Sequence, residues 1–405
     1  MTSLYNNTTL TPMRVARMSG YIDWSSQPST FKHYPDFLFR YKYGENHNLK
    51  IVELSRIVTS STIIASKPYL KLNTPSAGNL HPIELYVQIR GIKGILSGIY
   101  HVDTSLNEIV LIQEINDDGI EKVVNLDKNI NGYIFLVSIV PFRSEWKYRD
   151  RAFRYCYLDA GHQLNSLQQS ANFFGHSTTI LSNYDEKILN EIMGFNDEEF
   201  TCAVLYVGET TKKETKTLNK PLIQVAPTDY CETGGYVKQT LENSDLNNSI
   251  ILPEAIEIDE NVILNRRSAR KFTNYQIDVY KIINFLQITK LSFSFFFLIL
   301  NSTSHKLGLY LNDALIKEGN FADDISSLLV DQQFVKNANI IIIMTSNNFG
   351  EKELVYAGAL ANQLYLLAEK ENIGFTGIGA FYDEKLQNFL STKNYIHYVC
   401  AVGAT

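Results

Sequence analysis

The second half of the chain repeats short segments of its first half. Four pairs of segments match in the same order, at offsets between 195 and 210 residues: DAGHQLNSL (159–167) with YAGALANQL (356–364), YDEKI (184–188) with YDEKL (382–386), AVLYVGE (203–209) with VCAVGA (399–404), and Gly98-Ile99-Tyr100 with Gly308-Leu309-Tyr310. One match of this length is a common coincidence. Four matches in one order favour two copies of a single fold.

Local patterns predict both strands and helices. Residues 83–90 (IELYVQIR) and 133–140 (YIFLVSIV) are rich in Val, Ile and Tyr, which is typical of strands. Small and apolar residues recur every three or four positions, as on the buried face of a helix, at Cys156, Ala160, Leu164, Leu167 and Ala171 and again at Ala357, Ala361, Leu364 and Ala368. The elements lack the regular alternation of a parallel βαβ fold, so the predicted fold class is α+β.

A polar stretch separates the two copies. It opens with ETTKKETKTLNKP and contains TGG and ENSDLNN, which are polar or turn-forming segments. We therefore predict a first module over residues 1–209, a linker over 210–258 and a second, shorter module over 259–405.

Composition excludes several classes of protein. The 405 residues carry a formal net charge of −6, which argues against nucleic acid as a partner. Four cysteines without a CxxC pair argue against a zinc site or a disulfide framework, and we predict no metal. The N-terminus lacks the pattern of a signal peptide, and the apolar run 291–300 has half of the roughly 20 residues of a membrane helix. We expect a buried strand there, no membrane association and a cytoplasmic location.

Two segments combine residues suited to holding a ligand. In PSAGNLHP (75–82), Pro and Gly favour a turn and small side chains allow close approach to the backbone, although a plain loop before a strand is equally consistent. In RRSAR (266–270), three arginines and a hydroxyl could form charge-assisted bonds to a phosphate. A solvated basic helix start is the alternative.

Two further segments are candidates. TGIGAF (376–381) has two glycines that permit a close ligand approach, a weak signal alone. In WKYRDRAFRY (146–155), four basic residues surround tyrosines, and nearby cations would lower a tyrosine pKa toward the range useful for acid–base catalysis. Structural pairing of these arginines with Asp150 or Asp159 is the alternative.

Taken together, PSAGNLHP, WKYRDRAFRYCYLDAGH and RRSAR resemble the nitroreductase-like FMN flavoproteins. The similarity is greatest to tandem members of the SagB/ThcOx-type dehydrogenase branch, and it extends over roughly residues 20–405. The resemblance implies a nitroreductase-like α+β fold in two tandem copies that form a pseudo-dimer within one chain. Whether this unit pairs again as a homodimer is open.

The resemblance also implies one composite FMN site, because each half has only part of the family's motif set. The first half has PSAGN but LSRIVTSSTIIASK (54–67) in place of RRSxR, and the second half has RRSAR and TGIG but no PSAGN-like loop. By this resemblance, the phosphate and ribityl chain would be held by Arg266, Arg267, Ser268 and Arg270. The isoalloxazine edge would lie along Pro75, Ser76, Ala77 and Asn79, with its N5/O4 side near Gly377 and Gly379.

Lys147 and Tyr148 match a Lys-Tyr pair associated with catalysis in the peptide azoline dehydrogenases, although Arg149 replaces the family's following Gly. The implied function is an FMN-dependent oxidoreductase that transfers hydride through flavin N5. It would act as a reductase using NAD(P)H or as a dehydrogenase of a small-molecule or peptide substrate. The alternative is a cofactor-free relic that serves as a scaffold or binding subunit of a biosynthetic complex.

Overall fold

The computed structural model describes residues 2–18, 22–64, 67–232, 235–241, 246, 250–288 and 293–405. The strands of this described part, in chain order, are β1 (Arg40–Lys42), β2 (Val58–Ile64), β3 (Lys67–Leu72), β4 (Ile83–Arg90), β5 (Gly98–Asp103), β6 (Glu108–Glu114), β7 (Asp118–Gly119), β8 (Lys128–Ile139), β9 (Thr179–Ile180), β10 (Phe200–Glu214), β11 (Lys216–Thr217), β12 (Ser294–Ile299), β13 (Gly308–Leu311), β14 (Ala314–Glu318), β15 (Ile340–Ser346), β16 (Gly374–Ile378) and β17 (Tyr395–Gly403).

The α-helices of the same part are α1 (Thr2–Thr8), α2 (Pro12–Met18), α3 (Lys50–Ser55), α4 (Pro141–Tyr148), α5 (Ala152–Phe173), α6 (Glu186–Ile192), α7 (Tyr236–Leu241), α8 (Glu260–Asn265), α9 (Tyr280–Ile288), α10 (Ala322–Leu328), α11 (Glu351–Lys370) and α12 (Asp383–Leu390). No helix among the described residues is both long enough and apolar enough to span a bilayer.

Each half of the chain forms one large antiparallel sheet. The first sheet has the order β1-β6-β5-β4-β8-β10-β9 and the second has the order β14-β13-β12-β15-β17-β16. From β6 to β9, the first sheet follows the same order as the whole second sheet. Counted in this sheet order, the fourth strand of each half (β8 or β15) is followed in the chain by a long helix (α5 or α11). The fifth strand (β10 or β17) is preceded in the chain by a short helix (α6 or α12).

The main core lies between the two sheets. Strand side chains alternate between faces, so each sheet directs one apolar set inward onto α5 and α11 and the other outward under shorter helices. The predicted strand 83–90 is confirmed as β4, and Tyr133–Ile139 of the second prediction lies in β8. The predicted buried strand in 291–300 is confirmed as β12, while residues 291 and 292 lie outside the described part.

Helices α5 and α11 cross at their glycines. A Cβ at Gly161 would overlap the Val355 carbonyl oxygen, and one at Gly358 would overlap the Leu158 carbonyl oxygen. One turn further on, Asn362 Nδ2 donates to Asn165 Oδ1 at 3.1 Å. Because the helices touch at their backbones, α5 is buried on nearly every face. This differs from the one-sided burial that the helical periodicity predicted.

The segment predicted as a linker packs against the first half. Strand β10 continues past residue 209 to Glu214, and Leu222, Val237 and Leu241 are buried. Residues 233–234, 242–245 and 247–249, which include most of the predicted TGG and ENSDLNN turns, lie outside the described residues. The module boundaries therefore stay a prediction.

A buried ion cluster joins the N-terminal segment to the second half. Asp383, at the start of α12, accepts from Arg151 Nη1 at 2.8 Å, from Arg154 Nη1 at 2.7 Å and from the Leu10 backbone N–H at 2.8 Å. Arg151 also donates to the Thr8 carbonyl at 2.9 Å. The cluster thus connects three distant parts of the sequence.

Candidate functional site

A single cavity is built jointly by the two halves of the chain. The first half contributes the loop 75–78 together with Tyr148, Tyr155, Leu158, Asp159 and His162. The second half contributes Ser268, Arg270, Gln332, Tyr365, residues 377–380 and Tyr398. Eight of the twelve residues predicted for the site therefore line one cavity: Pro75, Ser76, Ala77, Tyr148, Ser268, Arg270, Gly377 and Gly379.

The loop 75–78 lies against the end of helix α4. Gly78 has φ +63°, and a Cβ there would collide with the Tyr148 hydroxyl and lie 3.3 Å from Lys147 Nζ. Glycine is therefore required both by the backbone conformation and by the close approach. Asn79 also has a positive φ, and its amide donates to the Leu70 carbonyl at 2.9 Å. Its side chain holds the loop and does not line the cavity, so its place along the flavin edge stays a prediction.

The arginines of RRSAR separate into two groups. Arg266 is buried and donates to the carbonyls of Asn73 and Leu72 at 2.5 and 2.9 Å, which joins the second half to the first. Arg267 donates to the Leu264, Arg266 and Thr59 carbonyls. Both guanidinium groups therefore have fewer free hydrogen-bond donors for a phosphate than the resemblance implied.

One nitrogen atom of this arginine pair has no hydrogen-bond acceptor. Arg266 Nη1 is buried without a hydrogen-bond partner, and burial lowers the pKa of this guanidinium to about 10. Ser268 and Arg270 line the cavity itself, where Ser268 Oγ lies 2.9 Å from the Tyr365 hydroxyl and Arg270 Nη1 lies 3.4 Å from Thr376 Oγ1. The second half therefore presents an anion-binding group to the cavity.

The glycines of TGIGAF allow two aromatic rings to approach the backbone. A Cβ at Gly377 would overlap the Tyr398 hydroxyl, and one at Gly379 would overlap the ring of Tyr155. The Gly377 N–H donates to the Tyr365 hydroxyl at 2.8 Å, and the Gly379 carbonyl accepts from Arg151 at 2.8 Å. This turn is thus fixed from both of its sides.

Lys147 and Tyr148 lie beside the loop 75–78, but their electrostatics differ from the sequence expectation. Burial raises the pKa of Tyr148 well above its usual range, which corrects the prediction that neighbouring cations lower it. Lys147 Nζ lies 4.8 Å from the Trp24 ring centroid and 5.2 Å from that of Tyr148, and burial lowers the pKa of this ammonium group. The phenol therefore stays protonated, and the lysine is the group that loses its proton more readily.

Sequence reasoning missed Asp159 as a member of the cavity. It is 6% exposed, and its carboxylate accepts from Ser76 Oγ at 2.6 Å. Burial raises its pKa to about 7. The signal that could have found it is an acidic residue within a helix that is otherwise buried, one position before the predicted core residue Ala160.

The paired sheets, the crossed helices and the shared cavity belong to a mixed α/β fold. Residues 263–404 match the family model described as "Nitroreductase family". A protein of Methanocaldococcus jannaschii, provisionally named a nitroreductase, is 24% identical to this chain over 163 residues. The match covers 40% of this chain and 81% of that protein.

One solved structure shows the fold over the whole chain. The crystal structure of a provisionally named nitroreductase from Anabaena variabilis superposes with a TM-score of 0.79 at 20% identity, covering 100% of this chain and 99% of that chain. A chain of the E. coli microcin synthetase McbBCD complex aligns with a TM-score of 0.33 at 12% identity, over 50% of this chain and 83% of that chain, which is too low to support an argument. The nitroreductase-like fold thus extends beyond the family match at 263–404.

Proposed function

We propose that this chain is an FMN-dependent oxidoreductase with one flavin site between its two halves. The observation that carries the proposal is the shared cavity, which combines the loop 75–78 with Ser268, Arg270 and the Gly377–Gly379 turn. In this proposal the two halves are duplicated modules that form a pseudo-dimer. The common strand order of the two sheets and the glycine crossing of α5 and α11 support that interpretation.

The residues present fit the chemistry of FMN. Arg270 and Ser268, which line the cavity, offer charge-assisted and hydroxyl hydrogen bonds to a phosphate. Gly78 and Gly377 line the cavity with Tyr148 and Tyr398 packed against them, so that small residues and aromatic side chains form its walls, as suits a flat heterocycle. FMN, when bound, supplies two-electron redox chemistry that amino-acid side chains lack.

The chain's own residues would bind, orient and exchange protons. Tyr148 stays protonated at neutral pH, so its hydroxyl is a hydrogen-bond and proton donor rather than a base. Lys147 has a lowered pKa and a position next to Gly78, so its amine is the better proton acceptor of the pair. These roles are the opposite of a mechanism in which the tyrosine is the base and the lysine is a supporting cation.

Two directions of reaction remain within the proposal. A reductase would take electrons from NADH or NADPH and pass them to a nitro or quinone acceptor. A SagB/ThcOx-type dehydrogenase would oxidise a small-molecule or peptide substrate. Arg149 and Lys147 both line a second cavity. In the dehydrogenase case, the bulk of Arg149 would hinder the approach of a peptide.

Removing the proposed phosphate ligand tests the site directly. Arg270→Ala should weaken FMN binding to the apoprotein by roughly 10-fold to 100-fold, because a charge-assisted bond contributes about 1.5–3 kcal/mol. Binding of riboflavin, which has no phosphate, should change little. Fluorescence quenching of each flavin on titration with the protein measures both affinities.

Lys271→Ala is the matched control, since it removes an adjacent cation that is exposed. Equal FMN binding by the Arg270→Ala variant and the unmodified protein would contradict the assignment of the phosphate site. Failure of the unmodified protein to bind either flavin would reject the oxidoreductase function and favour the scaffold alternative.

A further inference from the structure

Asp159 is a buried carboxyl group in the wall of the shared cavity. It lies on α5, is 6% exposed and has its Oδ2 atom 2.6 Å from Ser76 Oγ, which donates to it. Its Oδ1 atom lies 3.4 Å from the Ala77 backbone N–H. Among the described residues, no basic group comes within ion-pair distance of these oxygens, whereas buried carboxylates usually have such a partner.

The loop that binds Asp159 is also the loop proposed to bind the cofactor. Ser76 and Ala77 line the cavity beside Asp159, so a molecule in the cavity lies next to the carboxyl group and its hydrogen-bond donors. A flat ligand in that space would remove the remaining solvent exposure of Asp159, which is 6%. Loss of solvent contact disfavours the charged form of a carboxyl group.

We propose that Asp159 binds a proton when a flavin fills the cavity, so that cofactor binding is coupled to proton uptake. The step is a simple protonation: a carboxylate oxygen takes one proton from solvent and becomes a carboxyl group, with no change in oxidation state. The neutral group then keeps its contact with Ser76 by accepting or donating a hydrogen bond. This proposal rests on the proposed function of the cavity.

The other acidic groups around Asp159 do not change protonation near neutral pH. Burial raises the pKa values of Tyr148, Tyr155 and Tyr398, and it raises that of the Cys156 thiol well above its usual range. Burial lowers the pKa of His162 to about 3, so this imidazole is neutral. Asp159, with a pKa of about 7, is the acidic group in this set that titrates in the accessible range.

Three cations lie near Asp159, and their effect on proton uptake would be opposite to that of the carboxyl group. Arg56 lies behind Asp159 and is occupied by Thr104, Gln163 and the Ile83 carbonyl, while its charge opposes protonation. Arg270 lines the cavity, and Lys147 lies beside Gly78. Desolvation of a lysine by a ligand expels a proton, so net uptake distinguishes Asp159 from Lys147.

The test is a calorimetric titration of the apoprotein with riboflavin and with FMN, each in two buffers of different ionisation enthalpy. Riboflavin removes the ionisation of the FMN phosphate from the measurement. The unmodified protein should take up a fraction of a proton per riboflavin between pH 7 and 8. Its affinity should fall roughly tenfold from pH 7 to pH 9, because the free protein has to regain a proton that it has lost.

Asp159→Asn should abolish the proton uptake and leave an affinity that does not change with pH. Asp150→Asn makes the same chemical change at a nearby exposed residue and should behave like the unmodified protein. Ser76→Ala, which removes the hydrogen bond to the charged form, should keep the uptake and move its midpoint to higher pH. This second variant tests the proposal even if the Asn variant folds poorly.

The outcomes that reject the flavin site differ from those that reject the role of Asp159. If neither flavin binds, the proposed function is wrong and this proposal falls with it. If riboflavin binds with no proton uptake, or with proton release, the role of Asp159 is wrong and the flavin site stands. An unshifted midpoint in the Ser76→Ala variant would also overturn it.

Discussion

At the scale of single residues, Tyr148 is the group whose role the structure changes most. Its hydroxyl packs against Gly78, and its raised pKa keeps it protonated, so that it can donate a hydrogen bond but cannot act as a base. Tyr148→Phe should leave FMN affinity within a few-fold and lower kcat by about 10²-fold or more, the usual contribution of a positioned acid. Steady-state turnover of NADPH with a quinone acceptor measures the rate, and Tyr275→Phe, at an exposed tyrosine, is the control. Normal turnover would remove Tyr148 from the mechanism.

Arg149 has a backbone conformation that favours glycine, with φ 49° and ψ −138°. Such strain costs about 1–3 kcal/mol in a residue with a Cβ. We therefore expect Arg149→Gly to be more stable than Arg149→Ala by about 1 kcal/mol, after allowance for the greater entropy of glycine in the unfolded chain. Urea unfolding of the two variants makes the comparison, since both lose the guanidinium. Equal midpoints would show that the position is not strained.

The sequence predicted individual site residues unevenly. Ser268, Arg270 and the loop 75–77 line the cavity because a short motif determines their local structure. Asp159 was missed because its function depends on burial and on Ser76, which lies 83 positions away in the chain. The pKa of Tyr148 was predicted in the wrong direction for the same reason, since the neighbouring cations are visible in the sequence but the loss of solvent is not.

At the scale of elements, the crossing of α5 and α11 determines how the halves meet. Gly161→Ala should lower the free energy of unfolding by about 1–3 kcal/mol, because the added methyl group meets the Val355 carbonyl oxygen and backbone atoms must shift. Gly358→Ala should have a similar effect at the Leu158 carbonyl. Chemical denaturation followed by circular dichroism measures both losses.

The control for the crossing is Gly350→Ala. A Cβ at Gly350 would meet only the flexible carboxylate of Glu353, at 3.3 Å. A loss in the Gly161 variant no larger than that of the control would show that the helices can separate without cost.

The helices and central strands were predictable because their residue spacing is a local property. The pattern of Ala and Leu places α5 and α11 correctly, and Val- and Ile-rich runs place β4, β8 and β12. Burial of α5 on nearly all sides was not predictable, because it depends on the approach of α11 from 197 residues further along.

At the scale of the whole molecule, the ion cluster at Asp383 holds the N-terminal segment and both halves together. Asp383→Ala would leave the charges of Arg151 and Arg154 buried without a carboxylate, which costs about 3–5 kcal/mol. Because Arg151 also holds the Gly379 carbonyl, we expect weaker flavin binding as well as a lower melting temperature. Glu384→Ala, at the adjacent exposed residue, should change neither. Unchanged stability of the Asp383 variant would show that the cluster is dispensable.

The central claim is that the two halves form one flavin site together. The most direct test is the visible absorption spectrum of the purified protein after incubation with FMN and removal of unbound flavin, with protein concentration determined independently. We expect flavin absorption bands that correspond to one FMN per chain. Two FMN per chain, or none, would contradict it.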